Sequence, residues 1–266
     1  MSQQLRPPRW ARFWGEDAIG VWATLCIRGV EQRFRLIPSG TFLMGSPEGE
    51  KDRRDNEVQH LVHISEGFWL AETTVTQELY TVIIGQNPSH FQGQTLPVER
   101  VSWHDCQDFI RELNRLTEAR FGLPSEAQWE YACRAGTRTA FSFGDTIDST
   151  QVNFNGNHPY RSKKSEYRAT TIAVTSLPAN PWGLYEMHGN VWEWCEDWYG
   201  AYESRSQTTP MIDPQGAVKG GDRVLRGGSW YGIGRDCRSA DRDGNWPDFR
   251  YFDVGFRLLS GLAEPS

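Results

Sequence analysis

A chain of 266 residues can bury a substantial core as one large domain, and twelve Trp within 38% hydrophobic residues point to large rings rather than aliphatic helices. The formal net charge of −6, with basic residues scattered, excludes an electrostatic footprint for nucleic acid. No apolar run reaches membrane-spanning length, and Met1–Trp14, with Arg6, Arg9 and Arg12 among Pro and Trp, lacks the apolar stretch of a signal peptide, so the expected address is the cytoplasm.

Residues 34–43, FRLIPSGTFL, alternate apolar and polar around Pro38 and Gly40, which predicts a hairpin. The next stretch, MGSPEGEKDRRDNE, is polar and charged and predicts a surface loop, after which HLVHISEGFWLAETTVT returns to strand-like text. A short helix is expected from Thr74 or Thr76 to Ile84. A second is capped by Ser102 with Asp105 at its third position, and it carries Cys106, Phe109, Ile110, Leu113 and Leu116 on one face. A third opens with the capping box Ser125 to Gln128, turns Trp129, Ala132 and Cys133 inward and stops at Gly136. Beyond Gly136 helical periodicity disappears for over a hundred residues, so aromatic packing and bound metal are the devices expected to hold that half.

The cysteines Cys26, Cys106, Cys133, Cys195 and Cys237 lie far apart with no CxxC pair, and at least four are expected as buried thiols. His60 and His63 sit in an alternating segment whose three-residue spacing points them to opposite faces, so no histidine metal site is signalled. Residues 183–198, GLYEMHGNVWEWCEDW, crowd four carboxylates, an Asn and four large rings together. Carboxylates in such surroundings are costly to desolvate unless paired or coordinated, and a hard cation with oxygen ligands answers that need, calcium being the natural candidate.

The successive stretches IPSGTFLMGS, ETTVTQELY, LPVERVSWHDC, LPSEAQWEYACRAG, NPWGLYEMHGNVWEWCEDW, RVLRGGSW and VGFRL resemble the signatures of sulfatase-modifying-factor (formylglycine-generating enzyme) domains, over roughly Arg33 to Leu259. The resemblance implies an α+β fold of the C-type-lectin-like, formylglycine-generating-enzyme type, with little regular secondary structure. It sets residues 33–266 as that domain and 1–32 as an N-terminal extension packed on it. It also implies structural Ca2+. One site would take side-chain oxygen from Glu186 and Glu193 with the carbonyls of Gly189 and Val191. A second would take Asn153, the carbonyl of Phe154, Glu166 and the carbonyl of Arg168.

The enzymes of this resemblance bind copper through two cysteines five residues apart after RGGS, and here that segment holds only Cys237. One thiolate does not make that site. The iron-dependent branch of the fold uses a histidine trio with HxxxHxE spacing, which does not occur, so neither copper nor iron is expected.

The last forty residues resemble the variable region of target proteins of diversity-generating retroelements, about residues 229–257. The framework would be Trp230, Arg235, Cys237, Arg238, Ser239, Ala240, Arg242, Pro247, Asp248, Arg250, Gly255 and Phe256. The scattered positions would be Tyr231, Gly232, Ile233, Asp236, Asp241, Asp243, Gly244, Asn245, Trp246, Phe249, Tyr251, Phe252 and Asp253. Changing only the adenines of an AAC codon gives Tyr, Gly, Ile, Asp or Phe, or leaves Asn, and twelve of those thirteen residues belong to this set, Trp246 being the exception. Stiff rings beside small polar residues suit recognition, with Tyr231, Trp246, Phe249, Tyr251 and Phe252 as anchors. The framework arginines are expected to tie the loop to buried carboxylates of the calcium half. The resemblance implies a bacterial binder of a protein or other macromolecule, without catalytic residues; an oxidoreductase acting on peptide cysteine, or another enzyme of this fold, is the alternative.

Overall fold

The computed structural model describes residues 7–202 and 206–262, so the first six residues of the expected extension and the last four of the chain lie outside the described residues. In chain order the strands are β1 (Phe13–Glu16), β2 (Val21–Ile27), β3 (Val30–Ile37), β4 (Gly40–Met44), β5 (His60–Ile64) and β6 (Phe68–Ala71). Then come helices α1 (Gln77–Ile84) and α2 (Trp103–Thr117), strand β7 (Phe121–Gly122) and helix α3 (Glu126–Arg134). The second half contributes β8 (Trp192–Trp198), β9 (Met211–Ile212), β10 (Arg223–Arg226), β11 (Arg242–Asn245), β12 (Val254–Gly255) and β13 (Leu259–Gly261).

The three helices begin where their caps require. Thr76, Ser102 and Ser125 each accept a backbone N–H through the side chain, and the last two form complete capping boxes with Asp105 and Gln128. α2 buries Trp103, Cys106, Phe109, Ile110 and Leu113, the expected stripe with Trp103 in place of Leu116. Left-handed backbone at Ala135 and Gly136 ends α3.

The strands form a six-stranded sheet in the order β1-β2-β3-β6-β13-β7, a four-stranded sheet β11-β10-β8-β12 and a three-stranded sheet β4-β5-β9. The hairpin expected at Pro38 does not form. β3 pairs with β6 while β4 pairs with β5, the registers Ile37↔Phe68 and Gly40↔Ile64 flanking a corner. The two chain segments run together as one ribbon that bends from the large sheet into the small one at Pro38 and Gly67. Proline supplies no N–H for a tight hairpin, and the partner strands arrive from further along the chain. At the other edge β1 and β2 extend the large sheet, and Trp10 seals it by packing on Phe34, Trp69 and Phe121.

After Arg134 the described residues hold no α-helix, only a 3₁₀ turn at Gly234–Cys237. A device beyond rings and metal holds this half: four fully buried arginines from its last stretch. Arg257 binds both oxygens of Glu193 at 2.6 Å and spans to the carbonyls of Ala71 and Tyr185. Arg238 binds Glu57 through two nitrogens and Glu50 at 2.6 Å. Arg242 forks onto Glu126 at 2.7 Å, and Arg226 pairs with Glu130 while donating to the carbonyls of Ser239, Ala240 and Asp241. Arg238 and Arg242 thus reach the 45–58 loop and α3 rather than the expected calcium half. Arg250 pairs with Asp105 in an exposed position, and Arg235 pairs with its neighbour Asp236 at 3.4 Å.

Removing one partner of such a pair leaves an uncompensated buried charge. Arg257→Met is therefore expected to lower stability by about 3–5 kcal/mol, and the paired Glu193→Gln/Arg257→Met variant by clearly less. Urea unfolding in the presence of a chelator measures both.

Candidate functional site

Two arrangements meet around β8. The first is a polar knot at its N-terminal end, where Glu186 and Asn190 take left-handed backbone (φ 55° and 65°) on either side of Gly189. Asn190 accepts from the Ile172 N–H and from the Asn153 amide, and its own amide donates to the Ile172 carbonyl. Asn153 is fully buried, yet its Oδ1 has no hydrogen-bond partner, and neither has either carboxylate oxygen of buried Glu186. Burial pushes Glu186 up to about 8, against the opposing charge of Arg257.

These orphaned acceptors are donors a hard cation would fit, since a buried oxygen without a partner is expensive. The other residues of the two expected ligand sets are placed differently. Glu193 gives both oxygens to Arg257 and one also to the Trp129 indole at 2.8 Å, so its carboxylate is already satisfied. Glu166 has an exposed side chain paired with Arg168 at 3.1 Å. The backbone of Gly189 is bridged to that of Asn153, joining the two sets. Phe154 and Val191 are buried, their side chains in the core, which leaves only their carbonyls for the expected role.

The knot is tied directly to the second arrangement. The Trp230 N–H donates to the Asn190 carbonyl at 3.0 Å, the Gly189 N–H to Gly227 at 2.7 Å and the Asn155 N–H to Gly232 at 2.9 Å. From Trp230 the chain lays out an unbroken run of rings. Trp230 contacts Tyr231 at 5.5 Å and Phe252 at 5.4 Å, Phe252 contacts Tyr251 at 4.0 Å, Tyr251 contacts Phe249 at 6.0 Å, and Phe249 contacts Trp246 at 5.1 Å. Tyr231, Trp246 and Tyr251 are 54, 56 and 43% exposed. Two of these contacts, Trp230 with Tyr231 at 65° and Phe249 with Trp246 at 75°, are steep and so present edges as well as faces.

The backbone beneath these rings is pinned from outside. The Trp103 N–H donates to the Pro247 carbonyl and the Arg100 N–H to Tyr251, both at 3.0 Å, and the Trp192 N–H donates to Asp253 at 2.8 Å. Asp243 is exposed, and Gly232, Ile233, Asp236, Asn245, Phe249 and Phe252 are half-buried around the rings. Asp236 is held by Arg54 at 3.1 Å.

Three of the thirteen scattered positions do not join this surface. Asp241 is fully buried, 3.3 Å from both Arg54 and Arg238. Asp253 is buried and accepts from the Ser229 hydroxyl at 2.6 Å. Gly244 shares the inward face of β11 with Arg242, and a β-carbon there would sit 2.8 Å from the Tyr199 ring. Conversely, three residues not singled out in the sequence join the patch: Tyr167 lies parallel to Trp230, His90 faces Phe252 and Phe91 meets Trp230 edge-on. Only the tertiary fold brings these loops together, and their local text carries no signal for it.

Cys237 is fully buried in a cluster with Phe141, Phe154 and Tyr160, its thiol pushed well above the ordinary range by desolvation. Cys106, Cys133 and Cys195 are buried likewise, and Cys26 is half-buried. His188 is a satisfied core histidine: it bonds the Cys237 carbonyl at 2.7 Å and the Ser142 N–H at 3.1 Å, and burial holds it down to about 4. No described group of three or more His, Cys, Asp or Glu side chains is arranged to hold a metal, which leaves sites of one or two carboxylates with amide and backbone oxygens. No described helix is long and apolar enough to cross a membrane.

Fold and site define an α+β domain of C-type-lectin-like architecture whose loops, rather than its strands, carry the surface. The chain belongs to the sulfatase-modifying factor enzyme 1-like domain family, which it matches over residues 28–262. It is 34% identical over 258 residues to the serine/threonine-protein kinase pkn1 of Chlamydia caviae, covering 85% of this chain but 38% of that protein. With the formylglycine-generating enzyme of Streptomyces coelicolor it shares 36% over 182 residues, 63% of this chain and 55% of the enzyme. The chain thus spans well under two thirds of these relatives. Among solved structures, Treponema denticola variable protein 1 superposes with a TM-score of 0.77 at 26% identity, covering 90% of this chain and 99% of that one. PvdO from Pseudomonas aeruginosa superposes at 0.72 and 24% identity, covering 94% and 98%.

Glu186 yields a signed pH dependence. Its folded value lies above the ordinary carboxylate range, so the folded chain holds a proton that the unfolded chain has released. The stabilisation is complete below the unfolded value and is lost as pH rises towards about 8. Without divalent cations, thermal stability should fall between mildly acidic and mildly basic pH. Glu186→Gln should flatten that fall, and added calcium should restore stability most at the basic end. Scanning calorimetry with chelator and with calcium measures both.

Proposed function

We propose that this domain is a variable binding protein, diversified by a retroelement, that engages a protein ligand through the exposed face of residues 229–257 on a calcium-stabilised scaffold. The observation that carries the reading is the ring run from Trp230 to Trp246: exposed side chains stand on a backbone that buried framework groups hold fixed. Large stiff rings with Asp, Asn and Gly between them give contact area and adaptable hydrogen bonds at low entropic cost. An exposed apolar cluster of this kind marks an interaction site. The codon set of the scattered positions and the likeness to a solved variable protein at 26% identity support the same reading.

Glu186 and Asn153, with carbonyls of the knot, are the residues we assign to calcium. The cation would supply charge for their unpaired oxygens and stiffen the backbone from which Trp230 springs. The lone Cys237 supports a non-enzymatic role, because its segment offers no second cysteine and one thiolate does not make the paired copper site. A bacterial, cytoplasmic setting remains part of the proposal.

Sequencing the 3′ region of the gene across independent isolates tests this. Differences should concentrate at exposed positions such as Tyr231, Trp246 and Tyr251 and follow adenines of a nearby template repeat, leaving Arg238, Arg242 and Arg257 unchanged. An even spread of differences contradicts the proposal, as does copper-dependent oxygen consumption on a cysteine peptide. Tyr231→Ala and Trp246→Asp should each leave stability within about 0.5 kcal/mol, the range of surface substitutions, as measured by urea unfolding.

A further inference from the structure

On the side of the four-stranded sheet near the end of β8, a cavity of about 230 Å³ opens between the three-stranded sheet, the start of α3 and the 214–217 turn. Apolar groups form part of its wall: Met44, Met211 and Ile212 with Ala127. Tyr202 and Trp198 also line it, and His60 packs on the Tyr202 ring at 4.6 Å.

Asp197 lines this cavity and is only 4% exposed. One carboxylate oxygen accepts the Glu126 N–H at 2.9 Å. Among the described residues no cation reaches ion-pair distance of Asp197, and none donates a side-chain hydrogen bond to its Oδ1. Gly216, at φ 70°, lays bare backbone beside that oxygen, and a β-carbon there would sit 2.8 Å from it. The neighbouring positive charge is already committed, since Arg242 is forked onto Glu126 at 2.7 Å and Arg226 stands 3.7 Å from the same carboxylate. Among the described residues, the cavity therefore holds one buried acid without a counter-charge, beside an apolar wall.

We propose that this cavity binds a small organic primary amine bearing an apolar group, its ammonium donating to Asp197 and its apolar end lying among Met44, Met211 and Ile212. Buried carboxylates are stable when paired, and an ammonium supplies both charge and hydrogen bonds in the geometry left open. Size limits the ligand: scaling from a cavity of about 150 Å³ that takes benzene, the space suits roughly nine non-hydrogen atoms. Apart from Arg242, no residue of the 229–257 face lines the cavity, so this site stands independently of the protein-binding reading.

The empty site also sets a pH signature. Burial and the Glu126 charge raise Asp197 to about 7, so the acid is increasingly ionised, and the amine increasingly held, as pH rises from 6 to 8. The charged and titratable groups around it are Glu126 from α3, His60 from β5, Glu196 on β8, Arg223 from β10, Arg242 from β11 and Tyr202. The Asp197→Asn variant isolates the contribution of the acid.

Isothermal titration of the full chain with 2-phenylethylamine, and with the neutral 2-phenylethanol of the same shape, tests the proposal. Saturable one-to-one binding of the amine is expected, at least about tenfold tighter than the alcohol, consistent with a charge-assisted bond. Asp197→Asn should weaken the amine by a similar factor and remove the pH dependence. Ala201→Trp, which fills the mouth and leaves Asp197 intact, should abolish binding while thermal unfolding shows a folded protein. Absence of saturation at millimolar amine overturns the proposal, as does equal affinity for the alcohol or undiminished binding in either folded variant.

Discussion

Four buried arginines, Arg226, Arg238, Arg242 and Arg257, hold together a half of the chain that has almost no regular lattice of its own. Each comes from the final forty or so residues, and each ends on a carboxylate supplied by a distant part of the sequence: Glu130, Glu57, Glu126 and Glu193. Charges so deeply desolvated persist only with matched partners and satisfied hydrogen bonds, and the planar guanidinium fork satisfies several acceptors at once. Arg226 shows this most fully, since it closes three consecutive carbonyls of the segment before β11 as well as Glu130. The hydrophobic clusters beneath the large sheet give bulk stability, but these pairs decide where the loops lie.

That constraint separates two jobs within one segment. Along residues 229–257 inward groups (Arg238, Asp241, Arg242, Asp253) alternate with outward ones (Tyr231, Asp243, Trp246, Tyr251). The inward set is bonded to the body of the domain; the outward set contacts mainly its own neighbours. A surface can change without disturbing its support only when the energetic ties run through different side chains, as they do here. The knot at Glu186, Gly189 and Asn190 extends the same support through backbone hydrogen bonds to Gly227 and Trp230.

Much of this was legible in the chain itself. The three helices announce themselves through Thr76, Ser102–Asp105 and Ser125–Gln128, because capping is a local interaction that local text records. The family and its α+β architecture follow from seven ordered motifs. Alternation around Pro38 predicts a hairpin because it reports strands but not their partners, which here come from β5 and β6. Asp241 and Asp253 look interchangeable by residue type, yet their burial depends on Arg54 and Ser229, contacts that no spacing rule supplies. The family resemblance places Glu193 with Glu186 in one ligand set, and only the fold reveals that Arg257 already holds both Glu193 oxygens. Tyr167 and His90 join the patch from loops far away in sequence, so nothing local could have named them.

The central claim is that a fixed, charge-locked frame carries a replaceable face. A library randomising Tyr231, Trp246 and Tyr251 in parallel with Arg226, Arg238 and Arg257, sorted by resistance to protease, tests it directly. Nearly every residue should survive at the first three positions and almost none but arginine at the second three. Comparable intolerance at both sets, or free replacement of the arginines, would contradict it.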